Sequence, residues 1–142
     1  MEADEQRRAR DAIRKGDWRA AAFLYEMLQK DELRTRCGAN TRLLLGMEGK
    51  DLAAFCTLAE RDEVDSALAP WIGFVYTFPQ FRGGRRGGAL IDHVCKLAGN
   101  DGFARVYVST NEIGLYEKYG FEFLEAATDI WGGQTRVYVR RV

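Results

Sequence analysis

Between Phe74 and Val94 the chain runs FVYTFPQFRGGRRGGALIDHV: an apolar stretch, a proline, a turn of four glycines and three arginines within seven residues, then a new apolar period. Trp71 to Phe78 is rich in aromatic and β-branched residues, the composition of a buried strand. Pro79 closes that strand, because proline cannot donate a ladder hydrogen bond. Leu90, Val94, Leu97 and Ala98 then recur on one helical face. A strand feeding a helix through so tight a turn leaves the first backbone N–H groups of the helix unpaired and converging on one small space. They lie at the positive end of the helix dipole, where an anion is favoured. Glycine lets the backbone approach that anion closely, and Arg82, Arg85 and Arg86 add charge around it. The chemistry predicted is a phosphate or pyrophosphate site, with a plain chain reversal as the alternative.

Which phosphate ligand is narrowed by what the turn lacks. A nucleoside-triphosphate loop needs GxxxxGK followed by Ser or Thr, and Ala89-Leu90 stands there instead. The dinucleotide fingerprint GxGxxG is not matched either. RGGRRGG also has the look of an RNA-binding arginine-glycine segment, but such segments belong to repetitive, disordered sequence, and this one joins two apolar elements.

The rest of the chain supplies one α/β domain. A weakly apolar, highly charged stretch over residues 1–15 reads as a marginal helix, and Asp17 as the N-cap of a second helix from Trp18 to Gln29. That second helix is apolar around more than half its circumference, so it is expected to be sandwiched. Leu43 to Met47 and Leu52 to Ala59 form a hairpin about a Glu48–Asp51 turn, Val106 to Val108 is a short central strand, and Glu112 to Tyr119 a brief helix capped by Gly120. Two strands, Phe121 to Ala126 and Thr135 to Arg140, end the chain, the last expected at a sheet edge able to pair with a second subunit in a homodimer. The fold class is an α/β sandwich whose mixed, mostly antiparallel sheet is flanked by helices. At 142 residues a single domain is expected.

Composition removes several chemistries. Lys plus Arg and Asp plus Glu both number 21, so the surface as a whole is not a nucleic-acid field. His93 is the only histidine, which excludes His-based metal sites and Ser-His or Cys-His triads. Cys37, Cys56 and Cys95 are odd in number and form no CxxC pair, so neither a disulfide framework nor a zinc site is expected, and a reducing cytoplasm fits. No apolar run is long enough to span a bilayer.

Two blocks resemble the GNAT N-acetyltransferase family. The turn is similar to its cofactor motif, Gln/Arg-x-x-Gly-x-Gly/Ala at the start of a helix: Arg82 takes the first position, Arg85 the first glycine position and Gly87 the last. Arg85 departs from the pattern, with Gly83, Gly84 and Gly88 beside it. Asn111-Glu-Ile-Gly-Leu-Tyr-Glu-Lys-Tyr-Gly-Phe121 is similar to the family's later LYEKxGF block. The resemblance makes residues 41–142 the family-like core and residues 1–40 an atypical helical part.

The resemblance implies an acetyl-CoA-dependent N-acetyltransferase in which a neutral primary amine attacks the thioester directly. Acetyl-CoA is then the co-substrate, and no metal is required. Backbone groups of Val75, Tyr76 and Thr77 would hold the pantetheine arm, a backbone N–H there polarising the thioester carbonyl. Arg82, Gly83, Gly84, Arg85, Arg86, Gly87 and Gly88 would surround the pyrophosphate, with Asn111 touching the pantetheine or capping its helix. Tyr116 would protonate the departing thiolate, a phenol being protonated at neutral pH. The base is sought among Glu60, Asp62, Glu63 and Asp65 after the hairpin, Glu60 first. A catalytically idle acyl-CoA-binding regulatory module, and an RNA-binding domain using the arginine-glycine turn, are the competing functions.

Overall fold

The computed structural model describes residues 10–13, 19–30, 32–38, 40–62, 64, 66–83 and 86–142. Residues 10–13 are helical and Ile13 is fully buried; Trp18 and most of the predicted first helix lie outside the described residues. Helix α1 spans Arg19–Gln29 and the short α2 Leu33–Cys37. Leu24 and Met27 of α1 are buried, whereas Ala22, Glu26, Gln29 and Lys30, at helical spacing, are exposed. The expected sandwiched helix is therefore an amphipathic one with one face to solvent.

Six strands follow: β1 Arg42–Glu48, β2 Asp51–Ala59, β3 Trp71–Thr77, β4 Arg105–Thr110, β5 Glu122–Thr128 and β6 Gln134–Arg141. Helix α3, Arg86–Asn100, crosses between β3 and β4. The sheet order is β1-β2-β3-β4-β6-β5. All neighbours are antiparallel except β3 and β4, which α3 makes parallel.

Strand alternation divides the core between the two faces of this sheet. Ala54, Cys56 and Leu58 of β2 join Ile72, Val106 and Val108 beneath Leu90, Ile91, Val94 and Ala98 of α3. Phe55, Phe74, Tyr76 and Phe78 form an aromatic layer with Leu24 and Met27 of α1 on the opposite face. Farther along that second face, Trp71 and Tyr107 pack at 5.7 Å between ring centres under Val64 and Leu68. The indole N–H of Trp71 donates to the Leu68 carbonyl at 2.7 Å, so the segment after β2 is pinned to the sheet by a satisfied buried donor.

Two expectations require correction. Strand β6 is interior, between β4 and β5, and β5 is the edge strand at that end of the sheet. Val137 and Tyr138 of β6 are buried and need neighbours on both sides, whereas every residue of β5 except the half-buried Ala127 is exposed. The brief helix is also shorter than predicted, a 3₁₀ turn over Tyr116–Tyr119. Gly114 sits at φ 91, a left-handed conformation that interrupts a helix. Its N–H is satisfied by the Glu117 carboxylate at 3.1 Å. Gly120 caps the turn at φ 84, as its position predicts.

Candidate active site

The site begins with a miscount between two strands. Phe55 pairs with Tyr76 and Thr57 with Gly73, so β2 advances by two residues while β3 advances by three. The extra residue is taken up around Phe74, which stands at φ 51, in the left-handed region that a non-glycine residue seldom enters. Such a bulge bends its strand. On its other side β3 pairs with β4 only at Trp71–Tyr107 and Ile72–Val108. Beyond those pairs the strands part, and a cleft of about 830 Å³ opens between Gly73–Thr77 and Val108–Thr110.

One end of the cleft is made by the glycine turn and the start of α3, with Phe81, Arg82, Gly83, Arg86 and Gly87 on its wall. Arg82 donates from Nε to the Thr77 carbonyl at 2.9 Å and lies 5.4 Å from the Tyr76 ring centre. Arg86 donates from Nη1 to the Phe81 carbonyl at 3.2 Å and pairs through Nε and Nη2 with Glu48 of the β1–β2 turn. A Cβ on Gly87 would lie 3.5 Å from the Thr77 hydroxyl and 3.7 Å from that of Tyr119, in ordinary contact with both. One on Gly88 would lie 2.9 Å from the Tyr119 ring. Gly88 thus serves packing between α3 and the 3₁₀ turn.

The middle of the cleft holds its titratable groups. Tyr116 is 6% exposed and packs edge-on between Tyr119 and Phe121 at 6.0 and 5.7 Å. Burial, then the nearby Glu112 carboxylate, hold its phenol above the usual range, with smaller contributions from Cys56, Tyr119 and Asp62. Asp62 lies against the bulge. Its Oδ1 would be 2.9 Å, and the Thr57 hydroxyl 3.1 Å, from a Cβ on Gly73, so that glycine makes room for the carboxylate. On β4, the Ser109 hydroxyl reaches the cleft and is hydrogen-bonded to Thr135 at 2.8 Å.

The profile of the Acetyltransferase (GNAT) family matches residues 10–121, most of the chain. The chain belongs to the GNAT acetyltransferase family. No curated protein sequence gives a significant match. Among solved structures, a protein from Desulfovibrio desulfuricans described as a GNAT acetyltransferase aligns with a TM-score of 0.72 at 14% identity, over 99% of this chain and 94% of that one. A GNAT family acetyltransferase from Elizabethkingia anophelis, solved with acetyl-CoA bound, aligns at 0.64 and 16% identity, over 78% and 82% of the two chains. The PaiA N-acetyltransferase of Thermoplasma acidophilum, solved with coenzyme A, aligns at 0.68 and 14% identity over 100% and 96%. At these identities the likeness is one of fold.

Against this GNAT frame the sequence-predicted residues divide. Val75, Tyr76, Thr77, Arg82, Gly83, Arg86, Gly87 and Tyr116 come together on the cleft. Gly84, Arg85, Glu63 and Asp65 lie outside the described residues. Asn111 is exposed and is not on the cleft wall; it is Thr110 Oγ1 that receives the Glu112 N–H, at 3.1 Å. Glu60 is directed elsewhere: its carboxylate accepts the Asn40 N–H at 3.1 Å and packs on Gly38, holding the α2–β1 connection. Asp62, two residues on, reaches the cleft instead. Ser109, Glu112 and Phe81 were not singled out from sequence. For Ser109 the signal is alternation, a hydroxyl at the position facing the same way as Tyr107, next after the apolar run Val106–Val108. Among the described residues no three His, Cys, Asp or Glu side chains gather as a metal site, and no helix is long and apolar enough to cross a membrane.

Proposed function

We propose that this GNAT protein transfers an acetyl group from acetyl-CoA to a primary amine. The observation that carries this is the wedge between β3 and β4, which has an anion-favouring helix start at one end and a buried phenol beside a carboxylate at its centre. A linear ligand with phosphates at one end and a thioester at the other matches that layout. The solved relatives with acetyl-CoA or coenzyme A support the cofactor.

In this reading the pantetheine lies along Gly73–Thr77, where β3 has no partner on β4. The amine nitrogen attacks the thioester carbon, whose oxygen is met by a β3 backbone N–H. The C–S bond breaks, sulfur leaves with the electron pair, and Asp62, directly or through one water, takes the proton from nitrogen. Tyr116 faces the departing sulfur. Its phenol stays protonated at neutral pH, so its hydrogen is always available. A phenol held above its usual range is a weaker acid than a thiol, so its main contribution is a hydrogen bond to the developing thiolate, with the final proton drawn from solvent.

Two measurements test the reading. Acetyl-CoA and CoA at about 100 times their dissociation constants should each raise the unfolding free energy by about 2.7 kcal/mol, and ATP should not. Absence of any shift with both would remove the cofactor. Tyr116→Phe should lower kcat for the fastest amine of a primary-amine panel by about tenfold to a hundredfold, with little change in acetyl-CoA affinity. An undiminished rate would exclude the phenol from the chemistry.

A further inference from the structure

Glu48 occupies a place in the cleft wall's electrostatics that an acidic residue has no evident reason to hold. It is the last residue of β1, at the tip of the β1–β2 hairpin, and its side chain is 56% exposed. A single oxygen, Oε2, receives both Nε and Nη2 of Arg86, at 3.2 and 3.0 Å. Arg86 is the first residue of α3 and lines the cleft. Its remaining contacts belong to the wall itself: Nη1 donates to the Phe81 carbonyl, and the guanidinium lies 5.3 Å from the Phe81 ring centre. One edge of the guanidinium is thus fixed by the cleft, and the other is closed by a carboxylate from a different element.

We propose that Glu48 is an acidic latch whose carboxylate oxygen stands in for a phosphate oxygen on Arg86 and is displaced when the cofactor's pyrophosphate enters. The inference rests on the acetyl-CoA reading above and adds a control on affinity to it. An Nε/Nη2 edge is the side that arginine presents to phosphate. The pair is half in solvent, and an exposed ion pair of this kind holds weakly, so a dianionic pyrophosphate backed by the helix start outcompetes one carboxylate. Arg86 stays in place during the exchange because Phe81 keeps its other edge. Glu48 leaves by motion of a hairpin tip whose next residue, Gly49, meets nothing within 4 Å of a notional Cβ. With the latch closed, Arg86 presents no uncompensated charge, which lowers affinity for other anions as well as for the cofactor.

The test is a double-mutant cycle on binding, read by calorimetry with CoA, dephospho-CoA and pantetheine. Glu48→Gln should tighten CoA by about twofold to fivefold, the range for removing an exposed competing charge. The gain should persist with dephospho-CoA, vanish with pantetheine, and vanish in an Arg86→Gln background. An unchanged or weakened affinity in Glu48→Gln, or an equal gain in the Arg86→Gln background, overturns the latch while leaving the cofactor reading intact. A gain lost with dephospho-CoA overturns the assignment to the pyrophosphate. A wild-type chain that binds no CoA overturns both.

Discussion

Asp62→Asn should lower kcat/KM for the fastest primary amine by about a hundredfold or more, the usual contribution of a positioned general base. Acetyl-CoA affinity should stay close to wild type, because the carboxylate lies at the bulge of β3, away from the glycine turn. Among the described residues two carboxylates line the cleft, Asp62 and Glu112. Glu112 is exposed, on the connection after β4, and its charge acts on Tyr116 by holding the phenol protonated. Asp62 sits where β3 parts from β4, which in the proposed reaction is beside the path of the nitrogen approaching the thioester. Gly73→Ala provides a second arm, since its new Cβ would fall 2.9 Å from Asp62 Oδ1 and push the carboxylate aside. It should reduce the same parameter by a smaller factor. A full rate in Asp62→Asn would move the proton acceptor to Glu112 or to solvent.

The second large effect is on stability at alkaline pH. Burial pushes the Cys56 thiol from 9.0 to about 12, with Cys95 adding a smaller push. The Cys95 thiol is itself raised, chiefly by burial. In the unfolded chain these thiols ionise near their ordinary value, while the native protein keeps its protons. Above that value the unfolded state therefore binds fewer protons, and stability falls as pH rises. The contribution is complete below pH 9 and declines toward 12 at about 1.4 kcal/mol per unit for Cys56. Between pH 8 and pH 11 the unfolding free energy should drop by about 3 kcal/mol from Cys56 alone. Tyr116, also raised by burial, adds to the fall above pH 10. Urea unfolding at several pH values measures this, and Cys56→Ala should flatten the alkaline slope. A stability curve that is level across this interval would show that the thiol ionises as freely in the native state as in the unfolded one.

What the sequence made legible follows from what sequence encodes locally. Turn chemistry, strand composition and helical period are short-range, and they located β1 to β6 within a residue or two of their observed ends, together with the apolar face of α3 and the Gly120 cap. Membership of the cleft was legible where a motif names it, as for Arg82, Gly87 and Tyr116. Register was not. The bulge at Phe74 depends on how β3 lies on β2, and no local feature of FVYT announces it. The exchange of Glu60 for Asp62 has the same origin, because which acid reaches the cleft is set by where the segment after β2 settles on Trp71. The position of β6 inside the sheet is set by which strands flank it, a long-range property that the order of strands along the chain does not carry. Glu48 lay beyond reach as well: its partner Arg86 is 38 positions away, and nothing near a hairpin turn marks it as facing a helix start.

The pairing of β3 with β4 has a mechanical consequence. Among the described residues two residue pairs join β3 to β4, the inner strands of a β1–β2–β3 ribbon and a β4–β6–β5 ribbon, with α3 bridging them on one side and a Val64–Asp129 bridge tying the segment after β2 to the β5–β6 turn. Each ribbon is internally continuous, so thermal motion should collect at the seam as a scissoring of one half against the other. A ligand lodged in the wedge then does for the sheet what the missing rungs of the ladder would have done. In the proposed reading, filling the wedge and stiffening the sheet would be one event, with the co-substrate closing the joint between the two ribbons.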